Sequence, residues 1–588
     1  MKRAALAVAA LLGVLVAQIS ASAWIESPVA DAAMRGDRAA VRALLQQGAD
    51  VNAAQGDGMT ALHWASREGD AGTVQMLIFA GANVRAKTRL GGYTPLLLAS
   101  QSGHADVIEV LVKAGADPAS AAASGATPLM LASATGRVDA VKTLLSRGVD
   151  PHAKDPVRQE TALMFAVANN RVDVMKVLIA NGADVKASTK VVDLKAQTNP
   201  EEEEFLRNQR QGGRGAAVTP APAGAGQAAQ GGRGGGGRGG RGGGGAAGPD
   251  VAGLTRQFRF AELVSAQGGL TPLHFAVRQG YREAAMLLLA NGADINAVTG
   301  DRTSPLLMSV INGHFDLAKA LLEQGADPRA ASDNGVTPLY AALNVQWAPK
   351  SLYPQPRAHT QQKLTHIDLM KALIDKGVDV DARLRKKVWY SGYNFDLSGV
   401  DEIGATPFWR AAYASDLEAM RLLVASGADP NIPTMKPAGR PRTGDAGARE
   451  DTADVSAMPP VPTGGPGVPP LQAASGVGYG EGYAANSHMN SPAGWLPAIK
   501  YLVEELGMDV NGRDHDGNTA LHHAAARGDN EVILYLVSKG ADVKAVNRSG
   551  ETTVDMANGP VQRIQPFPET IALLTKLGAK NNNRCKSC

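Results

Sequence analysis

The sequence predicts an all-α repeat solenoid, in which helix-turn-helix units stack and are joined by β-hairpin or loop fingers. One observation is a fixed period: the threonines that open a short motif fall at 60, 94, 127 and 161, at intervals of 34, 33 and 34 residues. Another is that most units close with Gly-Ala-Asp, as at 48–50, 292–294 and 540–542. The frame continues through Ser27, Thr271, Ser304, Thr337, Thr406, Pro469, Thr519 and Thr552. It gives about twelve units.

The unit that begins at Thr271 shows why each one folds as two helices. Thr271 is a suitable N-cap, and Pro272 stands at the first helical position, where a missing N–H costs little. Gly280 ends this helix. A second helix presents an apolar face, and Gly292 supplies the left-handed residue that stops it. The residues of that face are Ala285, Met286, Leu288 and Leu289. Since one unit cannot bury such a face alone, neighbouring units must stack.

The motifs "MTALHWASREG" at 59–69, "LTPLHFAVRQG" at 270–280 and "NTALHHAAARG" at 518–528 resemble the ankyrin-repeat family. The resemblance covers most of the chain apart from its N-terminus, its insertions and its last eight residues. It implies that His63, His274 and His522 tie the start of the first helix to the adjoining turn. A catalytic or ligand role is disfavoured, because such a group is not copied through a solenoid. The pair His522-His523 predicts no metal site, since adjacent helical residues point in different directions.

The N-terminus has the features of a secretory signal. Lys2 and Arg3 precede an apolar run over 4–17, and Ala21-Ser22-Ala23 forms a small-residue cleavage site. We expect cleavage after Ala23, export to the periplasm or the extracellular space, and no membrane span in the mature chain. An uncleaved N-terminal anchor is the alternative. The net charge of +3 favours neither nucleic acid nor an anionic membrane as a partner.

Cys585 and Cys588 are the only cysteines and lie in the terminal "NNNRCKSC". In an oxidising compartment this spacing favours a local disulfide. The alternative is a redox or haem-linked periplasmic protein. Against it, haem attachment needs C-x-x-C-H, and no histidine follows Cys588. We therefore predict no cofactor.

Composition and frame together predict the domain organisation. A Gly/Arg-rich insertion at 187–267 includes "GGRGGGGRGGRGGGG" and is expected to be disordered. Such a segment can loop out of one stack or separate two, and the absence of polar capping at its edges favours one continuous stack. The predicted segments are a signal peptide at 1–23, repeats 1–5 at 24–186, the insertion at 187–267, repeats 6–9 at 268–432 with insertions at about 344–365 and 383–402, a Pro/Gly-rich insertion at 433–467, repeats 10–12 at 468–580 with an insertion at about 475–494, and a polar tail at 581–588.

Aromatic residues concentrate in the eighth and ninth units. Ten of the 27 aromatics lie between Tyr340 and Tyr413. Because Trp, Tyr and Arg dominate binding hot spots, we predict a partner-binding surface there, unless the insertions carry aromatics only to pack on the solenoid. The predicted contact residues are Trp347, Tyr353, Trp389, Tyr390, Tyr393, Trp409, Arg410 and Tyr413.

No enzyme motif stands out: the sequence has no G-x-S-x-G, no H-E-x-x-H and no P-loop. The resemblance to ankyrin proteins implies a scaffold without chemistry of its own. We therefore predict an exported, non-enzymatic scaffold that binds a protein through its concave groove and its aromatic insertions. Neither the identity of the partner nor the oligomeric state follows from the sequence.

Overall fold

A computed structural model describes residues 27–196, 260–347, 357–388, 400–438, 454–478, 490–559 and 566–583. Within these ranges the chain is the predicted repeat array, with twelve helix pairs that follow the sequence frame. The pairs are distributed over two compact units. The first unit comprises 27–191, 268–330 and 357–365, and the other described residues belong to the second unit.

The first unit holds seven pairs, each a first helix with an odd number followed by a second helix with an even number. They are α1 (Pro28–Met34) and α2 (Arg38–Gln46), α3 (Ala61–Glu68) and α4 (Ala71–Phe79), α5 (Pro95–Ser102) and α6 (Ala105–Lys113), α7 (Pro128–Thr135) and α8 (Val138–Ser146), α9 (Ala162–Ala168) and α10 (Val172–Ala180), α11 (Pro272–Gln279) and α12 (Arg282–Ala290), α13 (Pro305–Ile311) and α14 (Phe315–Glu323).

The first helices of this unit pack side by side from α1 to α13, and the second helices α2 to α12 form a parallel row. The stack is continuous across the long insertion, because α9 packs directly on α11. The backbone closes the same gap: the Thr189 amide donates to the Leu270 carbonyl at 3.0 Å. Successive fingers are also joined by hydrogen bonds. The Arg89 amide, for example, donates to the Asp57 carbonyl at 2.8 Å.

Local chemistry sets the ends of the helices. In α5 the Thr94 hydroxyl accepts from the Leu97 amide, and Pro95 holds the first helical position. At the end of α11, Gly280 has a φ of +75°, and a β-carbon there would lie 2.5 Å from the His314 ring. Glycine is therefore required at this position for both its backbone conformation and its size.

The second unit holds the remaining five pairs. They are α15 (Pro338–Trp347) and α16 (His366–Ile374), α17 (Pro407–Tyr413) and α18 (Leu417–Ala425), α19 (Pro470–Ala474) and α20 (Trp495–Lys500), α21 (Ala520–Ala526) and α22 (Asn530–Ser538), α23 (Thr553–Ala557) and α24 (Pro568–Lys576). Their first helices pack in sequence from α15 to α23. The tenth pair is the least regular, because α19 has five residues and α20 runs into a π-helical turn, Tyr501–Glu505.

Both ends of the 187–267 insertion are ordered, which departs from the expectation of disorder along its whole length. In the second unit, β1 (Val192–Asp193) pairs antiparallel with β2 (Ala266–Gln267) after a short helix, Phe260–Val264. Ser265 Oγ of this segment donates to Asp333 Oδ2 at 2.8 Å. These backbone and side-chain bonds explain the order. Residues 197–259, which include the Gly/Arg-rich run, lie outside the described part.

The Pro/Gly-rich insertion before the tenth repeat is also fixed at its described end. Arg548 Nη1 donates to Asp454 Oδ2 at 2.6 Å, and the Val455 amide donates to the Arg548 carbonyl. In the described residues the fingers are mostly turns, and some carry an isolated bridge such as Met435 with Pro466. The signal segment 1–23, together with Cys585 and Cys588, lies outside the described residues.

Candidate functional site

A row of apolar side chains runs along the first helices of the first unit. Each member stands four residues after the Thr or Ser that opens its repeat, so all take the same position in their helices. Because these helices pack side by side in one frame, the side chains share one face of the stack. Leu98 is 9% exposed, and the others are half-buried. This first-helix row consists of Trp64, Leu98, Leu131, Phe165, Phe275 and Met308.

The histidines predicted to be structural hold the helix starts beneath this row. His63 Nδ1 accepts from the Thr60 amide at 3.2 Å and contacts the Thr60 hydroxyl at 2.8 Å. Its Nε2 lies 3.0 Å from the Tyr93 carbonyl of the next repeat. His274 makes the equivalent contacts, with Thr271 and with the Thr303 carbonyl at 3.2 Å. The imidazole therefore links one repeat to the next.

These contacts fix the protonation state of the ring. Because Nδ1 accepts from a backbone N–H and Nε2 faces a carbonyl, the neutral Nε2–H form fits the site. Burial lowers the pKa of His274 to about 4. Burial, followed by the charge of His523, lowers the pKa of His522 to about 4, and its Nδ1 accepts from the Thr519 amide. These histidines are neutral near pH 7 and fully enclosed, so they are unsuited to proton transfer with a ligand.

Trp64 is the largest member of the first-helix row and is held by polar contacts at its edge. Its Nε1 donates to Gln55 Oε1 at 2.8 Å. The Arg67 guanidinium lies 5.3 Å from its ring centroid. These contacts orient the indole, and part of its surface stays exposed.

The fingers of the same unit carry exposed apolar and basic side chains. The apolar ones are Leu90, Val157, Val191 and Val298. The basic ones are Arg89, Arg158, Lys190 and Arg302.

The predicted aromatic surface of the eighth and ninth repeats is wrong for four of its residues, because their side chains are buried. Trp409 and Tyr413 stack in the core with ring centroids 5.2 Å apart, and Trp409 Nε1 donates to the Val468 carbonyl at 2.8 Å. Trp347 is 7% exposed and donates to Asp416 Oδ2 at 2.8 Å. Arg410 is 1% exposed. None of the four presents a surface to a partner in this conformation.

Trp347 belongs to a buried polar cluster in the second unit. Asp416 Oδ2 also accepts from His366 Nε2 at 2.7 Å, and Asp416 Oδ1 accepts from the Ala419 amide at 3.1 Å. Burial by itself raises the pKa of Asp416, but these hydrogen bonds outweigh it and leave the pKa below its usual value. The cluster links the end of α15 to the starts of α16 and α18, so its role is structural.

The other predicted contact residues, Tyr353, Trp389, Tyr390 and Tyr393, lie outside the described residues, and their role stays a prediction. Within the described residues, no helix combines the length and apolar character that crossing a membrane requires. The same ranges contain no group of three or more His, Cys, Asp or Glu side chains arranged to hold a metal.

The sequence already carried the signals that were missed. Trp409 follows Thr406 by three residues, as His63 follows Thr60, so it occupies the histidine position of its repeat. Its bond to Val468 replaces the histidine bond to the next repeat. The first-helix row is equally visible once the fourth residue after each opening residue is compared across repeats.

Comparison with known proteins agrees with this architecture. A family model described as "Ankyrin repeats (3 copies)" matches residues 6–88, 29–122, 87–155, 120–189, 273–353 and 484–547, and one described as "Ankyrin repeat" matches 403–435. These segments together cover more than half of the chain.

Similarity to individual proteins is confined to short stretches. A stretch of 71 residues, 12% of this chain and 7% of the relative, is 38% identical to Protein phosphatase 1 regulatory subunit 12A of Mus musculus. A stretch of 67 residues is 39% identical to Protein fem-1 homolog A of Danio rerio, 11% of each chain. A longer stretch of 191 residues, 32% of this chain, is 25% identical to Alpha-latrocrustotoxin-Lt1a of Latrodectus tredecimguttatus. It covers 9% of that toxin, so the matches span only about a tenth of these relatives' lengths.

Proposed function

Because the chain belongs to the ankyrin-repeat family, we propose that it is a non-enzymatic scaffold that binds a protein partner through the first-helix row of its first unit. Ankyrin repeats typically mediate protein binding and are usually non-enzymatic, and no catalytic domain is identified in the chain. The observation that carries the proposal is the row itself, because six consecutive repeats place an apolar side chain at one position and leave most of them half-exposed.

The chemistry of the face indicates the kind of partner. Neighbouring packed helices are about 8–10 Å apart, so the row offers an apolar contact at that interval. Apolar partner side chains at a similar spacing match it, and acidic groups between them suit the basic finger residues Arg89, Arg158, Lys190 and Arg302. The partner we propose is therefore an apolar segment with acidic flanks.

A pair of matched phenylalanine variants tests the proposal. Phe165 lies in the first-helix row, whereas Phe79 ends the second helix α4 and is 96% exposed. Partners captured from a native extract with the wild-type chain are identified, and their affinities for Phe165→Ala and Phe79→Ala are then measured. We expect Phe165→Ala to weaken binding roughly 30-fold, the size of a hot-spot loss, and Phe79→Ala to leave it unchanged. The reverse pattern would move the binding face to the second helices.

Export is a separate part of the proposal and rests on the sequence. Lys2, Arg3, the apolar run over 4–17 and Ala21-Ser22-Ala23 support cleavage after Ala23 and a mature chain that acts in the periplasm or outside the cell. Mass spectrometry of the purified native protein tests this, and we expect Trp24 at the N-terminus. Recovery of the chain with Met1 in the cytoplasm would contradict it.

A further inference from the structure

In the second unit, a segment of the insertion before the tenth repeat binds the tip of the finger that joins the eleventh and twelfth repeats. We call this segment, residues 454–461, the strap. The Arg548 guanidinium holds it: Nη1 donates to Asp454 Oδ2 at 2.6 Å, and Nη2 donates to the Pro459 carbonyl at 2.5 Å. The Val455 amide donates to the Arg548 carbonyl at 3.0 Å. Under the strap, only 17% of the Arg548 side chain is exposed.

The strap presents its carboxylate in a fixed and charged form. Asp454 Oδ1 accepts from the Ser456 hydroxyl at 2.5 Å and from the Ser456 amide at 2.9 Å. These hydrogen bonds, followed by the one from Arg548, hold the pKa of Asp454 at about 2. Asp454 is therefore an anion near neutral pH, and the contact with Arg548 is a charge-assisted hydrogen bond.

The finger that joins the second and third repeats has the same tip, with Arg89 in the place of Arg548. The Arg89 amide donates to the Asp57 carbonyl at 2.8 Å, and Arg89 Nη1 donates to the Gly56 carbonyl at 3.1 Å. Arg548 makes the same two contacts with residues 515–516 of the finger before it. Its amide lies 2.9 Å from the carbonyl oxygen of residue 516, and its Nε lies 3.0 Å from that of residue 515.

A glycine beneath each arginine supports this equivalence. Gly58 and Gly517 each stand two residues before the threonine that opens their repeat. Their φ angles are +88° and +81°. A β-carbon at Gly58 would lie 2.6 Å from the Arg89 amide nitrogen, and one at Gly517 would lie 3.0 Å from that of Arg548. Both fingers therefore bring the backbone of the arginine equally close to the finger before it.

The two tips differ in what covers them. Arg89 is exposed, and within the described residues it forms no ion pair and its carbonyl accepts no hydrogen bond. Its guanidinium spends one nitrogen on Gly56, so the other two remain for a ligand. Leu90, the next residue, is 77% exposed. The first unit thus carries the groups that hold the strap in the second unit, together with an apolar side chain at the surface.

We propose that Arg89 and Leu90 form a docking site for a segment of a partner protein in which Asp or Glu is followed by apolar residues. The carboxylate pairs with the Arg89 guanidinium, as Asp454 pairs with Arg548. The next backbone N–H donates to the Arg89 carbonyl, as that of Val455 does in the strap. Because backbone groups take part, the ligand is a peptide segment and not a free acid. Its apolar side chains contact Leu90.

The site refines the part of the proposed function that concerns Arg89, but it does not depend on the first-helix row. A peptide with the strap sequence, DVSAMPPV, acetylated at its N-terminus and labelled at its C-terminus, serves as the probe. Fluorescence anisotropy measures its affinity for the full chain at low salt. We expect binding, and a peptide with Asp454→Asn should bind about 10-fold more weakly, the loss expected for hydrogen bonds to a charged group.

Variants of the full chain locate the binding site. Arg89→Ala should weaken binding of the peptide about 10-fold. Arg42→Ala, which removes an exposed arginine from the second helix α2, is the matched control for net charge and should bind as the wild type does. Phe165→Ala should also bind normally, so the docking site and the first-helix row are tested separately. Unfolding curves of the variants check that each is folded.

Three results would overturn the proposal. The first is an absence of binding to the wild type, or equal affinity for the two peptides. The second is an unchanged affinity in Arg89→Ala together with a loss in Arg548→Ala, which would mean that the peptide exchanges with the chain's own strap. The third is a loss in Phe165→Ala with normal binding in Arg89→Ala, which would place the peptide on the first-helix row and leave the proposed function intact.

Discussion

The same helix position is used in opposite ways in the two units. Four residues after the opening residue, the first unit places the half-exposed Trp64, Phe165 and Phe275, whereas the second unit places the buried Arg410 and His523. His523 Nε2 pairs with Asp514 Oδ2 at 2.9 Å inside the eleventh repeat. The first unit therefore leaves this position half-exposed in most of its repeats, whereas the second unit buries it in all five, including the two polar residues.

This difference shows that the repeat frame determines on which face of the stack a residue lies. It does not determine whether that face is exposed to solvent. In the second unit, chain segments outside the regular repeats add contacts: the Arg548 side chain binds Asp454 and Pro459 of an insertion. The larger number of aromatic residues in the second unit is therefore associated with additional packing. The smaller number in the first-helix row of the first unit is associated with an open face.

The largest expected effect compares two tryptophans. Trp409→Ala removes a fully buried indole and its bond to Val468, so we expect it to lower the free energy of unfolding by about 3–5 kcal/mol. Trp64→Ala removes a half-buried indole and should cost less than half of that. Denaturant unfolding of the two variants measures both values. Equal losses would contradict the division into an enclosed and an open face.

Acid pH should destabilise both units, because each contains a buried neutral histidine. In their response to pH the two units should therefore be alike. The pKa of His274 in the first unit and that of His522 in the second are lowered to about 4, whereas both are near 6.5 when the chain is unfolded. The unfolded chain therefore binds protons first as the pH falls. Stability is fully present above about pH 6.5 and is lost towards pH 4, by roughly 3 kcal/mol for each histidine.

The pH prediction is tested with substitutions that the chain itself supplies. Leu97 and Leu307 occupy the histidine position in neighbouring repeats, so His274→Leu fits the site. Denaturant unfolding at pH 7.5 and pH 5 should show a smaller loss of stability in His274→Leu than in the wild type. Unfolding of His522→Leu at the same two pH values measures the contribution of the buried histidine in the second unit. An unchanged pH dependence in both variants would mean that other groups cause the acid sensitivity.

Much of this architecture follows from the sequence, because period and capping are local properties. The opening Thr or Ser, the proline after it and the closing glycine predict the helix pairs, and His63 and His274 bind as the family resemblance implies. Burial is not local. The sequence predicts a surface position for Arg410 and Trp409, because aromatic and basic residues are typical of binding sites. Their burial depends on segments far away in the chain, such as the one ending at Val468.

Binding should separate the structural row from the sequence-based alternative. If the first-helix row is the contact surface, Phe165→Ala and Phe275→Ala each weaken partner binding by about 2 kcal/mol, while Trp389→Ala and Tyr393→Ala have little effect. If the insertion of the ninth repeat is the contact surface, the two pairs exchange their effects. Isothermal titration calorimetry with one purified partner decides between them, and unfolding curves of all four variants serve as the control for misfolding.

The smallest effect is expected from the long insertion that separates the fifth and sixth repeats in the sequence. Its ends are tied by the pairing of β1 with β2, and repeat packing continues from α9 to α11 without it. The Gly/Arg-rich composition of 211–248 offers little apolar surface to bury.

Deletion of 211–248 roughly halves the loop between the strands, and the lower closure entropy should stabilise their pairing by about 0.6 kcal/mol at most. Calorimetry should therefore find the Tm unchanged or slightly raised, and a Gly-Ser segment of equal length in its place should behave like the wild type. A marked fall in Tm in both variants would mean that this segment packs on the repeats. The stability of the units would then depend on it, and not only on the repeats and the described ends of the insertions.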